Sequence, residues 1–196
     1  MDLVLRDARP ADADNIAESH VAAWRVGYAK LVPDTFLHHP SHLEGRRMGW
    51  QQTLTSIGSR PAPERLIVPE VRGRVVGFAH YGAEREPNPE SSERGELFGF
   101  YLHPDWWGTG VADVMITCVA TDLADRFAEA VLWVLKDNRR ARRFYERNGW
   151  VAGVGDESVE KLWDGPEMDG LPVIPAPVPE IQHRTTSLQT SRTPGR

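Results

Sequence analysis

The sequence has little cysteine, no long apolar run and no excess of basic residues. Its 196 residues include one cysteine, Cys118, which excludes an intramolecular disulfide and any multi-cysteine zinc site. No stretch approaches the roughly 18 apolar residues of a membrane span, and charged residues stand where a signal peptide needs an apolar run. With 23 basic against 28 acidic residues, the net charge is −5. That balance argues against the whole chain acting as a nucleic-acid or anionic-membrane binder, although a local patch is left open. Taken together, these absences lead us to expect a cytoplasmic protein with neither partner.

The overall composition of the chain is that of an ordinary globular protein. Apolar residues make up 40% of the chain and charged residues 26%, as in folded domains rather than disordered or fibrous proteins. We expect a single domain over residues 1–184 and a disordered tail over residues 185–196, where the sequence becomes polar. The 7 histidines show no spacing typical of metal ligands, so no metal site is expected.

The hydrophobic pattern predicts an alternation of strands and helices. Strands are predicted at residues 3–5, 65–71, 74–81, 96–103, 130–135, 150–154 and 178–184, and the longer helices at 43–57, 110–128 and 138–148. A further helix follows the first strand and carries Ile16, Val21 and Trp24 on one face. Pro69 puts the strand at 65–71 in doubt or at an edge, and residues 155–177 are read as a long connection. Because three strands follow one another, a doubly wound parallel sheet is excluded, and a mixed α/β fold is predicted: a mostly antiparallel sheet of about six to seven strands with helices on both faces.

The most informative segment is the glycine loop, residues 107–112, which read Trp-Gly-Thr-Gly-Val-Ala. A strand ends just before it and a long helix begins at once, so backbone N–H groups converge at the positive end of the helix dipole. This arrangement favours a phosphate ligand, although a tight connection without a ligand has the same pattern. A P-loop is excluded because no Gly-Lys-Ser/Thr follows. A dinucleotide fingerprint is excluded because Asp113 stands where a third small residue is needed.

Two segments resemble the GNAT N-acetyltransferase superfamily. Residues 107–112 look like the family's Gln/Arg-x-x-Gly-x-Gly/Ala loop, and the likeness extends upstream through His103. Residues 138–150, which read Asn-Arg-Arg-Ala-Arg-Arg-Phe-Tyr-Glu-Arg-Asn-Gly-Trp, look like its Asn-x-x-Ala-x-x-Phe-Tyr-Glu-x-x-Gly-Phe segment. The two stand in the family's order and bracket the expected strand. The resemblance covers residues 1–155 as a fold and is specific over residues 96–150.

The resemblance implies acetyl-CoA as co-substrate and assigns residues to bind it. Backbone amides of the loop would hold the pyrophosphate, and the strand before it would supply backbone groups to the pantetheine arm and the thioester. Trp107 departs from the family's Gln/Arg, but the amides still do this work. The residues implied in cofactor binding are Phe100, Tyr101, Leu102, Trp107, Gly108, Thr109, Gly110, Val111, Ala112, Asp113, Asn138 and Tyr145.

Acetyl transfer to an amine needs a base for the amine and an acid for the departing thiolate. Tyr145 stands seven residues after Asn138, two turns along the same helix face, and the resemblance implies that its phenol is the acid. Glu96 stands before the loop at a distance similar to that of the catalytic glutamate in histone-acetylating relatives, which implies a general base. A charged residue facing water at a strand end is the alternative for Glu96, and a core aromatic is the alternative for Tyr145. Asn138 caps its helix, contacts the pantetheine, or does both.

The sequence indicates less about the residues that bind the acceptor. Trp24 and Tyr28 lie where the family builds its substrate pocket, yet both look equally like core aromatics. We expect an acetyl-CoA-dependent N-acetyltransferase that acts on a primary amine of a small molecule or peptide by direct transfer. A non-catalytic acyl-CoA-binding module is the alternative, and the acceptor's identity and a homodimer both stay open.

Overall fold

The computed structural model of the protein describes residues 2–59, 64–85, 93–152, 160–163 and 178–185. Its helices are α1 (Ala13–Gly27), α2 (Asp34–Leu37), α3 (Ser41–Ser56), α4 (Val111–Ala124) and α5 (Arg139–Arg147). Its strands are β1 (Leu3–Asp7), β2 (Arg65–Val71), β3 (Arg74–Val75), β4 (Gly77–Ala83), β5 (Gly95–Leu102), β6 (Ala130–Leu135), β7 (Val151–Ala152), β8 (Glu160–Trp163) and β9 (Val178–Thr185).

All the strands belong to one mixed sheet. The order across it is β1-β2-β4-β5-β6-β9-β7, with β3 added beside β2 and β8 beside β9. Each pairing is antiparallel except that of β5 with β6, which is parallel. The predicted fold class is therefore confirmed.

Alternation along β2 shows how the helices cover both faces of the sheet. Leu66 and Val68 point into one core, where they pack with residues of α1 and α3. Ile67 lies between them in sequence and points into the other core, which is formed with α4 and α5. Successive strand residues face opposite sides of a sheet, so both sides of β2 are buried. The near-continuous apolar run of this strand follows from that double burial.

A salt-bridge cluster fixes the start of α1 against the sheet. The guanidinium of Arg6 in β1 donates to both carboxylate oxygens of Asp12, at 2.7 and 2.9 Å. The backbone N–H of Arg9 donates to the same carboxylate at 2.7 Å. Burial alone would raise the pKa of Asp12, but these hydrogen bonds outweigh it and lower the pKa below its ordinary value. The charged pair thereby orients α1, which carries part of the site described below.

Several boundary predictions were wrong, each for a local reason. Pro69 lies in β2, which is flanked by β1 and β4 and is therefore not an edge strand. At Pro69, β2 stops pairing with β3 and has not yet begun to pair with β4. The Pro69 carbonyl accepts a hydrogen bond from the Val76 N–H at this point. That break divides the predicted strand 74–81. The helix predicted to reach residue 128 ends at Ala124, although Phe127 beyond it still packs on the core.

Other differences lie toward the C-terminus. The stretch read as a connection contains β8, and β7 covers only the start of the strand predicted at 150–154. The last strand is confirmed, with Thr185 as its final, buried residue rather than the first of the tail. Residues 153–154 and 186–196, on which the rest of these predictions fall, lie outside the described residues.

Candidate active site

A gap opens between the two parallel strands at the middle of the sheet. Pairing of β5 with β6 runs from Gly95 opposite Ala130 to Leu97 opposite Leu132 and stops there. At that point β5 has an extra residue, because His80 and Tyr81 of β4 lie opposite Gly99 and Leu97, which makes Phe98 a β-bulge. We call the space between residues 98–102 of β5 and 133–135 of β6 the strand gap. Beyond Leu97, residues 98–102 of β5 have no strand partner on this side among the described residues, so their backbone groups can face a ligand.

The glycine loop lies at the end of the same strand. Gly108 and Gly110 have φ angles of +77° and +88°, a left-handed conformation that favours glycine. Gly110 caps α4, whose first-turn N–H groups have no partner within the helix and carry its positive dipole end. A Cβ built on either glycine would meet nothing within 4 Å, so there is open space beside the loop. The loop therefore fits a pyrophosphate held by backbone amides.

Side chains around the loop fix it to its neighbours. The indole N–H of Trp107 donates to the Leu102 carbonyl at 2.8 Å, so the side chain's single donor is already used. The Arg140 guanidinium carbon lies 3.3 Å from the centroid of the Trp107 ring, a cation–π contact that joins the loop to α5. Asp113 accepts from Arg147 at 2.9 Å, so its charge near the phosphate site is offset. The hydroxyl of Thr109 donates to the Trp106 carbonyl at 2.7 Å and tightens the turn.

Tyr145 reaches the strand gap from α5. Its ring is buried, 6.4 Å from the ring of Phe100 in β5 and 6.5 Å from that of His183 in β9. Burial raises the pKa of Tyr145 above its ordinary value, and the neighbouring Tyr101 hydroxyl adds to the effect. The phenol is therefore fully protonated at neutral pH and can act as a proton donor.

Capping by Asn138 is confirmed. Its side-chain oxygen accepts from the Ala141 N–H at 3.1 Å at the start of α5. The cap sets where the helix begins, and so fixes the turn on which Tyr145 lies. Contact with a pantetheine arm stays a prediction.

Glu96 lies at the other end of β5. It is buried in the part of the strand that is paired on both sides, opposite Gly82 in β4 and Val131 in β6. Its carboxylate accepts from the Arg85 backbone N–H at 3.0 Å and from the Arg85 guanidinium at 2.7 Å. Phe100, which Tyr145 contacts, is four residues further along, about 13 Å at the rise of a strand. Proton transfer to Glu96 from a group in the strand gap would therefore run through water.

On the opposite face of the sheet, α1 and β5 bring two tyrosines together. The hydroxyls of Tyr28 and Tyr101 are 3.1 Å apart. Trp24 is buried beside Tyr28, with ring centroids 5.2 Å apart, and also packs on Phe36. Burial raises the pKa of Tyr28 well above its ordinary value, and Tyr101, Tyr145 and Glu180 raise it further. Through its contact with Tyr101, Tyr28 lies next to the part of β5 that borders the strand gap.

Sequence reasoning missed His20 and Arg46, which surround the same tyrosines. The ring of His20 is 4.3 Å from that of Tyr101, and the guanidinium carbon of Arg46 is 4.6 Å from the centroid of the Trp24 ring. One signal existed for His20, since His20, Trp24 and Tyr28 recur every four residues on one helix face. No local pattern marks Arg46, because α3 approaches α1 only in the folded chain.

The part of the chain that the structure describes contains no cluster of three or more histidine, cysteine, aspartate or glutamate side chains arranged to hold a metal ion. None of its helices is both long and apolar enough to cross a membrane.

Proteins similar to this chain include several described as N-acetyltransferases. YuaI of Bacillus subtilis, described as an uncharacterized N-acetyltransferase, is 24% identical over 178 residues, which cover 86% of this chain and 96% of that protein. The crystal structure of PaiA N-acetyltransferase from Thermoplasma acidophilum in complex with coenzyme A is similar, with a TM-score of 0.65 and 16% identity over 93% of this chain and 98% of that one. An N-acetyltransferase from Staphylococcus aureus Mu50 has a TM-score of 0.63 and 16% identity over 94% and 98% of the two chains.

At these identities the structural likenesses show the fold alone. The family evidence comes from the model of the Acetyltransferase (GNAT) family, which matches residues 22–150. That match spans the glycine loop, the strand gap and Tyr145 together. The chain belongs to the GNAT acetyltransferase family.

Proposed function

We propose that the protein transfers the acetyl group of acetyl-CoA to a primary amine of a small molecule or peptide. Transfer is direct, within a complex of enzyme, acetyl-CoA and amine. The main support is the position of a buried, protonated phenol: Tyr145 packs on Phe100, which borders the strand gap, and the same strand leads into the glycine loop.

The loop and β5 would hold acetyl-CoA mainly through their backbones. Amides at residues 108–113 bind the pyrophosphate, and backbone groups of residues 100–102 bind the pantetheine arm and the thioester carbonyl. The φ angles of Gly108 and Gly110 and the open space beside them support the first assignment. The early end of the β5–β6 ladder supports the second. That the PaiA structure contains coenzyme A is consistent with both.

In the chemical step the neutral amine attacks the thioester carbonyl. A carbon–nitrogen bond forms, the carbon–sulfur bond breaks, and the electron pair leaves with sulfur. Tyr145 donates its hydroxyl proton to the thiolate, and the proton that the amine nitrogen loses returns to solvent and so to Tyr145. Backbone N–H groups of β5 at the strand gap stabilise the oxyanion that develops on the carbonyl.

Glu96 is our proposed base for the amine. Alkyl amines have a pKa of roughly 10, so at neutral pH one proton must leave before attack. The carboxylate is buried and paired with Arg85, which donates to it, and a proton from the strand gap would have to reach it through water. The Arg85 backbone N–H also donates to the carboxylate, so the position of Glu96 does not depend on the Arg85 side chain alone.

The test is release of free CoA thiol from acetyl-CoA in the presence of a panel of primary amines. We expect thiol release that depends on both the enzyme and an amine, with one N-acetylated product per thiol. An acyl-CoA-binding module would bind acetyl-CoA and release no thiol with any amine. That result would overturn the proposal of catalysis but not the proposal that the glycine loop binds acetyl-CoA.

A further inference from the structure

Five side chains form a connected group on the α1 side of the strand gap, which we call the acceptor cluster. It consists of His20, Trp24 and Tyr28 from α1, Arg46 from α3 and Tyr101 from β5. The Tyr28 and Tyr101 hydroxyls are 3.1 Å apart, and the Tyr101 ring is 4.3 Å from the ring of His20. The His20 and Trp24 rings are 5.5 Å apart, and Trp24 carries the guanidinium of Arg46 at 4.6 Å.

The proton on His20 can be assigned from its neighbour. Trp50 donates its indole N–H to Nδ1 of His20 at 3.2 Å, and an indole nitrogen can only donate. Burial lowers the pKa of His20 well below its ordinary value, and the charges of Arg46 and His42 lower it further. The ring is therefore neutral, and its proton is on Nε2. Among the described residues this buried Nε2–H has no hydrogen-bond acceptor. A buried donor of this kind is costly unless something accepts from it.

Arg46 sets the sign of the charge in the cluster. Its guanidinium occupies the face of the Trp24 ring, where the cation of a ligand would otherwise stack. Its charge also reaches the hydroxyls of Tyr28 and Tyr101. A second cation placed at this end would be repelled, whereas an anion would gain both the guanidinium and the His20 N–H.

The other end of the cluster lies at the strand gap, where an amine must be acetylated and where the Tyr28 and Tyr101 hydroxyls meet. Burial raises the pKa of Tyr28, and Tyr101, Tyr145 and Glu180 raise it further, so this end of the cluster carries neutral hydroxyls. A molecule with an amine at the strand gap and an anionic group beside His20 and Arg46 fits this arrangement.

We propose that His20 and Arg46 form an anion subsite, and that the acceptor is a small amine carrying a carboxylate or another anionic group, an amino acid being the simplest. This inference rests on the proposed function, since it assigns the acceptor of that reaction. It excludes polyamines and other purely cationic amines as preferred acceptors.

The first experiment compares matched acceptors on the wild-type enzyme. For several side chains, thiol release is measured with an amino acid, its amide and the decarboxylated amine, together with a polyamine and an aminoalkyl phosphate. We expect at least about 10-fold higher kcat/KM for the carboxylate of the best set than for its amide, as for a charge-assisted hydrogen bond. The aminoalkyl phosphate shows whether the subsite takes phosphate as well. Equal or better turnover of the amide, the decarboxylated amine or the polyamine would overturn the proposal.

The second experiment removes the charge. Arg46→Gln should raise the KM of the anionic acceptor by about 10- to 100-fold and leave the amide's KM within about 2-fold. Arg46→Lys keeps the charge and should recover part of the loss. Arg47→Gln is the matched control, because Arg47 lies on the same helix and pairs with Glu18 at the surface. An equal loss for the anionic and neutral acceptors in Arg46→Gln would contradict the subsite.

A binding readout separates this inference from the proposed function. Thermal stabilisation by amino acids and by their amides is measured for the wild type and for Arg46→Gln, whether or not thiol is released. Absence of thiol release with every amine refutes catalysis. Stabilisation by the acids alone, lost in Arg46→Gln, still supports the anion subsite, and its absence refutes it.

Discussion

The two sides of the candidate site are built in different ways. The cofactor side is made by residues 96–150, largely by backbone groups at the strand gap and the start of α4. The acceptor side is made by side chains from α1, α3 and β5 that are far apart in sequence, such as Tyr28 and Tyr101. Backbone recognition needs glycines and a helix start in a fixed order, so it leaves a local pattern. Side-chain recognition needs only that distant residues meet, so it leaves almost none.

Their electrostatics also differ. On the cofactor side, the charged side chains beside the loop are partly exposed: Arg147 and Asp113, which form a pair, are 59% and 48% exposed. On the acceptor side, burial lowers the pKa of His20 and raises that of Tyr28, so both are neutral at pH 7. Exposed pairs contribute little to binding, whereas buried donors and charges are strong and selective. Cofactor affinity should therefore depend on loop conformation, and acceptor choice on a few buried side chains.

The largest effect is expected where the two sides meet. Tyr145→Phe should lower kcat by about 100- to 1,000-fold, the usual contribution of a general acid. The KM of acetyl-CoA should change by no more than about 2-fold, since the ring stays in place. Because burial raises the pKa of Tyr145, the wild type should show no loss of kcat from its ionisation up to about pH 10. Steady-state thiol release measures kcat and its dependence on pH, and calorimetry measures the binding of acetyl-CoA. Unchanged kcat would remove Tyr145 from the chemistry.

A smaller effect tests the base on the acceptor reaction. Glu96→Gln should lower kcat/KM for the amine by about 10- to 100-fold at pH 7. The loss should shrink as the pH approaches about 10, because the amine then loses its proton without help.

The matched control for Glu96 is its partner. Arg85→Gln removes the same ion pair and keeps the carboxylate, and the Arg85 side chain is 57% exposed. It should therefore leave kcat/KM within about 3-fold of the wild type. Equal losses in the two variants would show that the ion pair holds the structure and that Glu96 is not the base.

The smallest effect separates the cofactor side from the acceptor side. Gly110→Ala forces a residue with a Cβ into a φ of +88° and should weaken acetyl-CoA binding by about 10-fold, from a strain of about 1–2 kcal/mol. The acceptor's KM should not change. Gly58→Ala is the control, because its Cβ would also meet nothing within 4 Å and its φ is not positive. Equal acetyl-CoA affinity in the two variants would mean that the loop does not bind the cofactor.

Most of the fold could be predicted from the sequence. The strand and helix sequence follows from hydrophobic period, the Asn138 cap from residue preference, and the mixed sheet from three successive strands. What failed depended on tertiary contacts. On α3 the apolar Met48 is 66% exposed, whereas the polar His42 is buried. The nitrogen Nε2 of His42 bonds the Phe36 carbonyl at 2.6 Å, and no helical period shows such a contact.

In the candidate site, too, the residues found from the sequence lie in local motifs, and the residues missed depend on tertiary contacts. The glycine loop and Tyr145 were identified because both lie in short segments with a characteristic order of residue types. The acceptor cluster was found only in part, through Trp24 and Tyr28. Arg46 gave no signal because a charged residue on a helix is ordinarily solvated, and only packing shows its guanidinium over the Trp24 ring.

If the glycine loop binds acetyl-CoA, the ligand should stabilise the folded protein, and a thermal melt measures that stabilisation. Wild type and Gly110→Ala are melted with acetyl-CoA, CoA, ATP or NAD. Ligand at about 100 times its Kd adds roughly 2.7 kcal/mol of stability, a shift of several degrees for a domain of this size. We expect that shift with acetyl-CoA and CoA, a smaller one in the variant, and no comparable shift with NAD or ATP. No shift of the wild type with saturating acetyl-CoA would contradict binding of acetyl-CoA by the loop.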